Sequence, residues 1–339
     1  MTVTQLYSRD DKSVLWQAFA LMSVLLIVAA LLLPRTAHAA GAPLNLGSSS
    51  VLVLDNESGQ ILYGKNSGNI VPIASITKLM TAMVVLDANL DPNEPLTVSN
   101  DDVDWLRGSH SRLQVGVTLN RDEMLRLALM SSENRAASAL GRYYPGGREA
   151  FVQAMNQKAA SLGLHGTHYS DSTGLSSTNV STAEDLGQLV RAAHEYPKIR
   201  EYSTTSSFTQ TVAGRPIAFH NTNGLVMSPG WDIGLSKTGF INEAGRCLVM
   251  QAKLAGRNVV IVLLSSWGKY TRTADAARIR HWLEVAAGYV SPTRKSVTKA
   301  VATKARPAAV ARTKSAPAAR AKTASRVSVQ YGNGQPSSL

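Results

Sequence analysis

The chain has 339 residues and carries 35 Lys and Arg against 23 Asp and Glu, a net charge of +12. Hydrophobic residues make up 44% of it, which excludes global disorder and allows one large folded domain or two smaller ones. The single cysteine, Cys247, excludes an internal disulfide framework and any zinc or iron–sulfur site built from several cysteines.

The first 40 residues have the order of a secretory signal peptide. Arg9 and Lys12 precede an apolar run over 18–33, and Pro34 ends that run before the small-residue segment Ala-His-Ala-Ala at 37–40. The run has 16 residues, fewer than the roughly 20 that cross a bilayer as a helix. The sequence therefore predicts a cleaved signal peptide at 1–39, with an uncleaved membrane anchor as the alternative. A cleaved signal peptide and a membrane anchor both predict a protein of the cell envelope.

Strand and helix periodicities alternate through the body of the chain. Short β-rich runs at 50–54 and 61–63 are joined by turn residues at 56–59, a pattern typical of a hairpin. The apolar positions of the next segment are spaced by three and four, as on a buried helix face: Ile76, Leu79, Met80, Met83 and Val84. Further helices are predicted over 122–130, 134–143, 149–162 and 182–195. Thr182, three residues before Asp185, is the expected cap of the last of these.

Strand character returns late in the chain. Runs at 235–238, 247–253 and 258–264 are β-rich, with a turn at 256–257, and a final helix fits 274–285. Two early strands and three late ones, with helices between them, predict a mixed sheet assembled from both ends of the chain. The predicted fold class is α+β.

The segment after Val290 changes composition abruptly to Ala, Lys, Arg, Pro, Ser and Thr. Residues 291–339 hold ten basic residues and no acidic one, so the remaining 25 basic and 23 acidic residues give only +2. With few large apolar side chains, this segment is predicted to be a flexible tail. It is either a solvated tether or a binding surface for anionic envelope polymers or lipid headgroups. A nucleic-acid partner is not expected, because export separates the tail from nucleic acid and no aromatic residues interleave with its cations.

The first candidate for chemistry is Ser75-Ile76-Thr77-Lys78, at the start of the predicted helix. A serine hydroxyl needs a base within hydrogen-bonding reach, and residues three apart share one helix face. In the first turn, the amide of Ser75 is also free to donate to an oxyanion. Taken alone, this tetrapeptide equally fits a capping serine beside a solvated lysine.

Two later segments carry suitable polar groups. Ser132 and Asn134 lie in a short link between two apolar helices, where a hydroxyl and an amide can project into a cleft. The alternative there is an ordinary helix cap. Lys237, Thr238 and Gly239 end a β-rich run, where the glycine lets a substrate backbone come close. The alternative is a strand-end lysine followed by a turn glycine.

The three segments, in this order, resemble the SxxK, SxN and KTG signatures of the serine D,D-peptidases in the penicillin-binding protein superfamily. The stretches PIASITKLMTAMVVLDA, LALMSSENRAASAL, DSTGLSSTNVSTAEDL and LSKTGFINEAGRCLVMQA resemble its low-molecular-mass endopeptidase branch, the penicillin-binding protein 7 type. The resemblance covers roughly 46–287. It implies a β-lactamase/transpeptidase-like fold, with a mostly antiparallel sheet and a helical subdomain inserted mid-chain. The catalytic domain is expected over 40–290, between the signal peptide and the tail.

The family's roles can be carried onto these positions. The resemblance implies that Ser75 is the acylated nucleophile, that Lys78 is its general base and that Ser132 relays a proton to the departing amine. The implied substrate contacts come from Asn134, Lys237, Thr238, Gly239 and, for a carboxylate on the leaving stem, Arg272; the implied oxyanion hole is made by the backbone amides of Ser75 and Phe240. To act as a base, Lys78 must have a pKa below its ordinary value of about 10.4, and burial and the Lys237 cation are both expected to lower it.

The implied function is that of a periplasmic D-alanyl-D-alanine endopeptidase. Such an enzyme hydrolyses D-Ala–meso-diaminopimelate cross-links between peptidoglycan stems during wall remodelling, and β-lactam antibiotics inhibit it covalently. A carboxypeptidase that removes the terminal D-Ala of pentapeptide stems uses the same signatures and remains an alternative. A non-catalytic wall-binding protein is another.

Other classes of site fit the sequence less well. A β-lactamase is disfavoured because 150–183 contains no glutamate for deacylation. No cofactor is expected, and no metal site, because the sequence has no HExxH motif or His/Cys cluster. Asp171 is expected to be a turn residue.

Overall fold

The computed structural model describes residues 44–288. The predicted signal peptide at 1–39 and the predicted basic tail at 291–339 lie outside these residues. Within 44–288, no helix has the length and apolar character needed to cross a membrane.

The described part of the chain alternates between strands and helices. The strands are β1 (Ser48–Asp55), β2 (Ile61–Lys65), β3 (Val71–Pro72), β4 (Pro95–Thr97), β5 (Thr118–Asn120), β6 (Val180–Ser181), β7 (Ser207–Val212), β8 (Arg215–His220), β9 (Asp232–Ile241), β10 (Gly245–Leu254) and β11 (Arg257–Ser266). The α-helices are α1 (Lys78–Asp87), α2 (Arg121–Met130), α3 (Asn134–Arg142), α4 (Gly147–Ser161), α5 (Ala183–His194), α6 (Pro197–Thr204) and α7 (Thr271–Ala286). Short 3-10 helices cover Ala74–Thr77, Asn100–Asp102 and Gly224–Met227.

The main sheet joins the two ends of the described chain. Its strand order is β2-β1-β11-β10-β9, so two strands come from the beginning and three from the end. This confirms the α+β class and the predicted assembly of the sheet. All four pairings are antiparallel, so the sheet is not mixed. Helices α1 to α6 lie between β2 and β9 in the sequence and form the inserted helical region.

The central strands of the sheet are covered on both faces. Val51 and Val53 of β1 belong to the hydrophobic cluster that includes α7, whereas Leu52 and Leu54 belong to the cluster that includes α1 and α5. This alternation follows the two-residue period of a strand. Burial on both faces explains why these strands are almost continuously apolar and were visible in the sequence.

The helices predicted from the sequence are all present, with ends that differ by a few residues. Helix α1 is preceded by a 3-10 turn over Ala74–Thr77. The side chain of Thr182 accepts a hydrogen bond of 3.0 Å from the backbone amide of Asp185, which confirms the predicted cap of α5. The predicted β1–β2 hairpin is also confirmed.

Helix α6 and the β7–β8 hairpin were not predicted. Helix α6 has eight residues, of which only Ile199, Tyr202 and Ser203 are buried, so its apolar pattern is too sparse to recognise. Strand β8 contains Pro216, which argues against a strand. Ala213 and Gly214 form the turn, both with positive φ, and of the two only Gly214 is a residue type that signals a turn in the sequence.

Candidate active site

The candidate nucleophile, Ser75, lies within the 3-10 turn that leads into α1. Ser75 is held between two glycines: a Cβ added at Gly174 would lie 2.0 Å from the carbonyl oxygen of Ala74, and one added at Gly239 would lie 3.1 Å from the amide nitrogen of Ser75. Ala74 has a positive φ of 49°. The backbone at Ser75 therefore depends on close approach by two chain segments that carry no side chain at the contact.

The amine of Lys78 is directed at Ser75 from one turn further along. Its Nζ lies 2.9 Å from Ser75 Oγ, 2.8 Å from Asn134 Oδ1 and 2.6 Å from the carbonyl oxygen of Thr173. The side chain is fully buried. Burial lowers the pKa of Lys78 to about 7, although the charges of nearby carboxylates oppose this shift. A substantial fraction of this lysine is therefore neutral near pH 7.

A second lysine–serine pair faces the first. Lys237, on β9, donates from Nζ to Ser132 Oγ at 2.8 Å and to the carbonyl oxygen of Thr238 at 3.0 Å. Ser132 has a φ of 61°, an unusual conformation for a serine that holds its hydroxyl in the link between α2 and α3. The three sequence segments thus meet in one place, as the resemblance implied.

Burial also lowers the pKa of Lys237, to well below its ordinary value, and the charges of Lys78 and Arg272 lower it further. The sequence led us to expect that Lys237 lowers the pKa of Lys78. In the structure, burial is the largest cause of the lowered pKa at both lysines, and the repulsion between their charges disfavours the charged form of each.

Asn134 and Thr238 complete the walls of the site. Asn134 accepts from Lys78 through Oδ1 and donates through Nδ2 to Ser109 Oγ at 2.8 Å. The hydroxyl of Thr238 lies 2.6 Å from that of Thr222, to which it donates. Ser109 and Thr222 were not predicted as site residues, because each lies in a segment with no signature of its own.

Arg272 lies beside the segment that carries Lys237, Thr238 and Gly239. Its Nη1 donates to the carbonyl oxygens of Gly239 and Cys247, at 3.3 and 3.1 Å. These contacts support the paired strands β9 and β10 behind the cleft. Through Nη1, Arg272 therefore supports β9 at Gly239, and its predicted contact with a substrate carboxylate stays a prediction.

The loop that contains Gly174 is ordered by Asp171. One carboxylate oxygen of Asp171 accepts from the amides of Thr173 and Gly174, each at 2.6 Å, and the other accepts from the amide of Ser176 at 2.9 Å. This confirms the prediction that Asp171 is a turn residue. The loop supplies the Thr173 carbonyl to Lys78, a contact that sequence reasoning missed because it is made by backbone atoms.

Another carboxylate near Lys78 is also committed to structural contacts. Glu133 is buried, accepts from Ser111 Oγ at 2.6 Å and pairs with Arg112 at 3.3 Å. Both Glu133 and Asp171 thus already accept hydrogen bonds from protein groups. Over residues 44–288, no cluster of three or more His, Cys, Asp or Glu side chains could hold a metal ion.

Comparisons with known proteins agree with this geometry. The family model described as D-alanyl-D-alanine carboxypeptidase, peptidase S11, matches residues 36–267. A D-alanyl-D-alanine endopeptidase of Pseudomonas aeruginosa is 51% identical over 251 residues, which cover 72% of this chain and 80% of the relative. An enzyme of the same description from Escherichia coli is 45% identical over 249 residues, covering 73% and 80%. The crystal structure of the Streptomyces K15 DD-transpeptidase matches with a TM-score of 0.65 and 29% identity, covering 70% of this chain and 97% of that one.

Proposed function

The chain belongs to the S11 family of D-alanyl-D-alanine peptidases, and on that basis we propose that it is a D-alanyl-D-alanine endopeptidase acting through an ester on Ser75. The observation that carries the proposal is the pairing of Ser75 Oγ with the buried amine of Lys78 at 2.9 Å. A non-catalytic wall-binding protein has no need for a buried lysine with a lowered pKa beside a serine hydroxyl.

Acylation begins with proton transfer from Ser75 Oγ to the neutral amine of Lys78. The serine oxygen attacks the carbonyl carbon of the D-alanine that precedes the scissile bond. The backbone amides of Ser75 and Phe240 stabilise the oxyanion that forms. When the tetrahedral intermediate collapses, the C–N bond breaks, and the departing amine receives, through the hydroxyl of Ser132, the proton that Lys78 took from Ser75, which leaves Lys78 neutral again. Water then attacks the ester with Lys78 again acting as base, and the proton returns to Ser75.

Lys237 and Thr238 bind the carboxylate on the leaving side of the scissile bond. In the empty site, burial disfavours the charged form of Lys237, so its pKa is lowered. A substrate carboxylate placed beside it favours the charged form and raises that pKa again. Binding of the carboxylate is therefore coupled to protonation of Lys237. Asn134, on the opposite wall, holds the peptide of the acyl stem.

The preferred bond is the cross-link between D-alanine and the D-centre of meso-diaminopimelate on a neighbouring stem. The names of the two relatives favour this bond over the terminal D-alanine of a pentapeptide. The decisive experiment incubates the protein, expressed without residues 1–39, with purified cross-linked muropeptide dimers and, separately, with pentapeptide monomers. Mass spectrometry is expected to show monomers formed from the dimers. Loss of a single alanine from the pentapeptide, with the dimers intact, would identify a carboxypeptidase.

Penicillin is expected to acylate Ser75 and to remain bound. Residues 150–183 contain no glutamate to speed deacylation as in a β-lactamase, and the carboxylates of Glu133 and Asp171 already accept hydrogen bonds from protein groups. Intact-protein mass spectrometry after removal of excess benzylpenicillin should show the mass of one acyl group persisting for many turnover times of the peptide substrate. Rapid return to the free mass, with penicilloate accumulating, contradicts this expectation.

We further propose where the enzyme works. Residues 1–39 direct export to the periplasm, where the cross-links are found, and residues 40–290 form the catalytic domain. The basic segment 291–339 contacts anionic polymers of the envelope through charge attraction. This segment lies outside the family match at 36–267, so catalysis on soluble fragments does not depend on it.

A further inference from the structure

A groove of about 400 Å³ lies beside the ends of β9, β10 and β11. Phe240 and Trp267 both line it, and their side chains are 52% and 67% exposed. Trp267 follows directly after β11, and Phe240 is the residue whose amide is assigned to the oxyanion hole. Large aromatic side chains left open to solvent in a concave surface are typical of a ligand site.

The charged groups in this groove are cations. The guanidinium of Arg246 lies 4.7 Å from the centroid of the Phe240 ring, and Lys269 also lines the groove. Neither cation forms an ion pair within residues 44–288. The acidic residue of the adjacent turn, Glu243, is paired with Arg107 at 2.8 Å. The groove therefore combines an aromatic surface with two cations that are available to a ligand.

The distance from Phe240, beside the oxyanion hole, to Trp267 follows from the strand register. Phe240 is paired with Arg246, and Arg246 is paired with Ser266, so two strand spacings separate Phe240 from Ser266. Each spacing is about 4.8 Å, which places Ser266 about 10 Å from Phe240 and Trp267 one residue beyond it. A four-residue peptide in extended form spans about 14 Å. A peptide stem acylated on Ser75 is therefore long enough to reach Trp267.

The position of the leaving group in the site determines the direction in which the acylated stem runs. Lys237 and Ser132 hold the leaving side of the scissile bond at the Lys237 end of the segment 237–241. The acyl side consequently runs past Gly239 and Phe240, toward the groove. In peptidoglycan, the far end of a peptide stem is joined to a strand of N-acetylated amino sugars.

We propose that the groove between Phe240 and Trp267 binds this amino-sugar strand, with one sugar ring stacked on the indole of Trp267. The apolar C–H face of a sugar ring complements an aromatic surface, and Arg246 and Lys269 attract the carboxylates of the stem. This inference rests on the proposed function. It adds that the enzyme recognises the glycan of the acyl stem and so prefers intact wall to free peptide.

The test compares binding and turnover in Trp267→Ala, Trp267→Phe and a control, Met227→Ala, which removes a side chain that is 57% exposed elsewhere. Isothermal titration with peptide-free glycan strands, prepared by amidase digestion of purified sacculi, is expected to show binding to the wild type and to Met227→Ala. Trp267→Ala should lose about tenfold in affinity, equivalent to about 1.4 kcal/mol, and Trp267→Phe should recover most of it.

Turnover provides the second measurement. The ratio of cleavage rates on intact sacculi and on sugar-free cross-linked peptide dimers should fall about tenfold in Trp267→Ala, matching the loss in affinity, and stay unchanged in Met227→Ala. Absence of glycan binding to the wild type, or an equal loss on both substrates, overturns the inference. Failure of the wild type to cleave any dimer contradicts the proposed function instead, and the titration still tests the groove in that case.

Discussion

Replacing Ser75 with alanine is expected to lower hydrolysis of cross-linked dimers by about 10⁴-fold or more, because no second hydroxyl can take over the covalent step. The neighbouring hydroxyl of Ser132 is held 2.8 Å from Lys237, not beside Lys78. The same substitution should abolish covalent labelling by a fluorescent penicillin. The measurements are product formation by mass spectrometry and in-gel fluorescence after denaturation.

A matched control separates loss of the nucleophile from loss of the fold. Ser49→Ala removes an exposed serine on β1 whose hydroxyl donates only to the carbonyl oxygen of Ser265, and it should keep full activity and labelling. Both variants should unfold at the same temperature as the wild type. Persistent labelling of Ser75→Ala at the wild-type rate would place the nucleophile on another residue and contradict the assignment.

The architecture was largely predictable because the central strands of the main sheet are buried on both faces. Such strands read as continuous apolar runs, and helices such as α1 show apolar positions at spacings of three and four. The β7–β8 hairpin was missed because it forms a separate two-stranded sheet with few buried residues and contains Pro216. Elements with few buried residues, such as this hairpin, leave no regular spacing of apolar residues in the sequence.

The site was predictable for side chains that carry the signatures, and less so for the groups that position them. Ser75, Lys78, Ser132 and Lys237 meet as the resemblance implied. The Thr173 carbonyl and the contact of Gly174 with Ala74 are backbone features, for which no residue type is diagnostic. The contacts of Arg272 with the carbonyls of Gly239 and Cys247 could not be predicted for a related reason, since its sequence position does not tell which backbone atoms its side chain reaches.

The pH dependence of acylation should report the protonation of Lys78. Only the neutral amine can accept the proton of Ser75, and burial lowers the pKa of Lys78 to about 7. The rate of acylation by a β-lactam should therefore rise about tenfold per pH unit below pH 7 and level off above it. A lysine at its ordinary pKa of about 10.4 would instead give a rate that still rises at pH 9. Stopped-flow measurement of acylation between pH 5 and 9 distinguishes these profiles.

Replacing Lys78 with methionine, which is one atom shorter but keeps the apolar stem and removes the amine, should lower the acylation rate by about 10²- to 10⁴-fold. The residual acylation rate should no longer fall as the pH drops below 7, because the amine that titrates there has been removed. Lys253→Met removes an exposed lysine from β10 of the same sheet and should change neither rate nor profile. If the acylation rate of Lys78→Met still fell below pH 7, another group would be the base. The 2.9 Å contact between Lys78 and Ser75 would then serve only to position the hydroxyl.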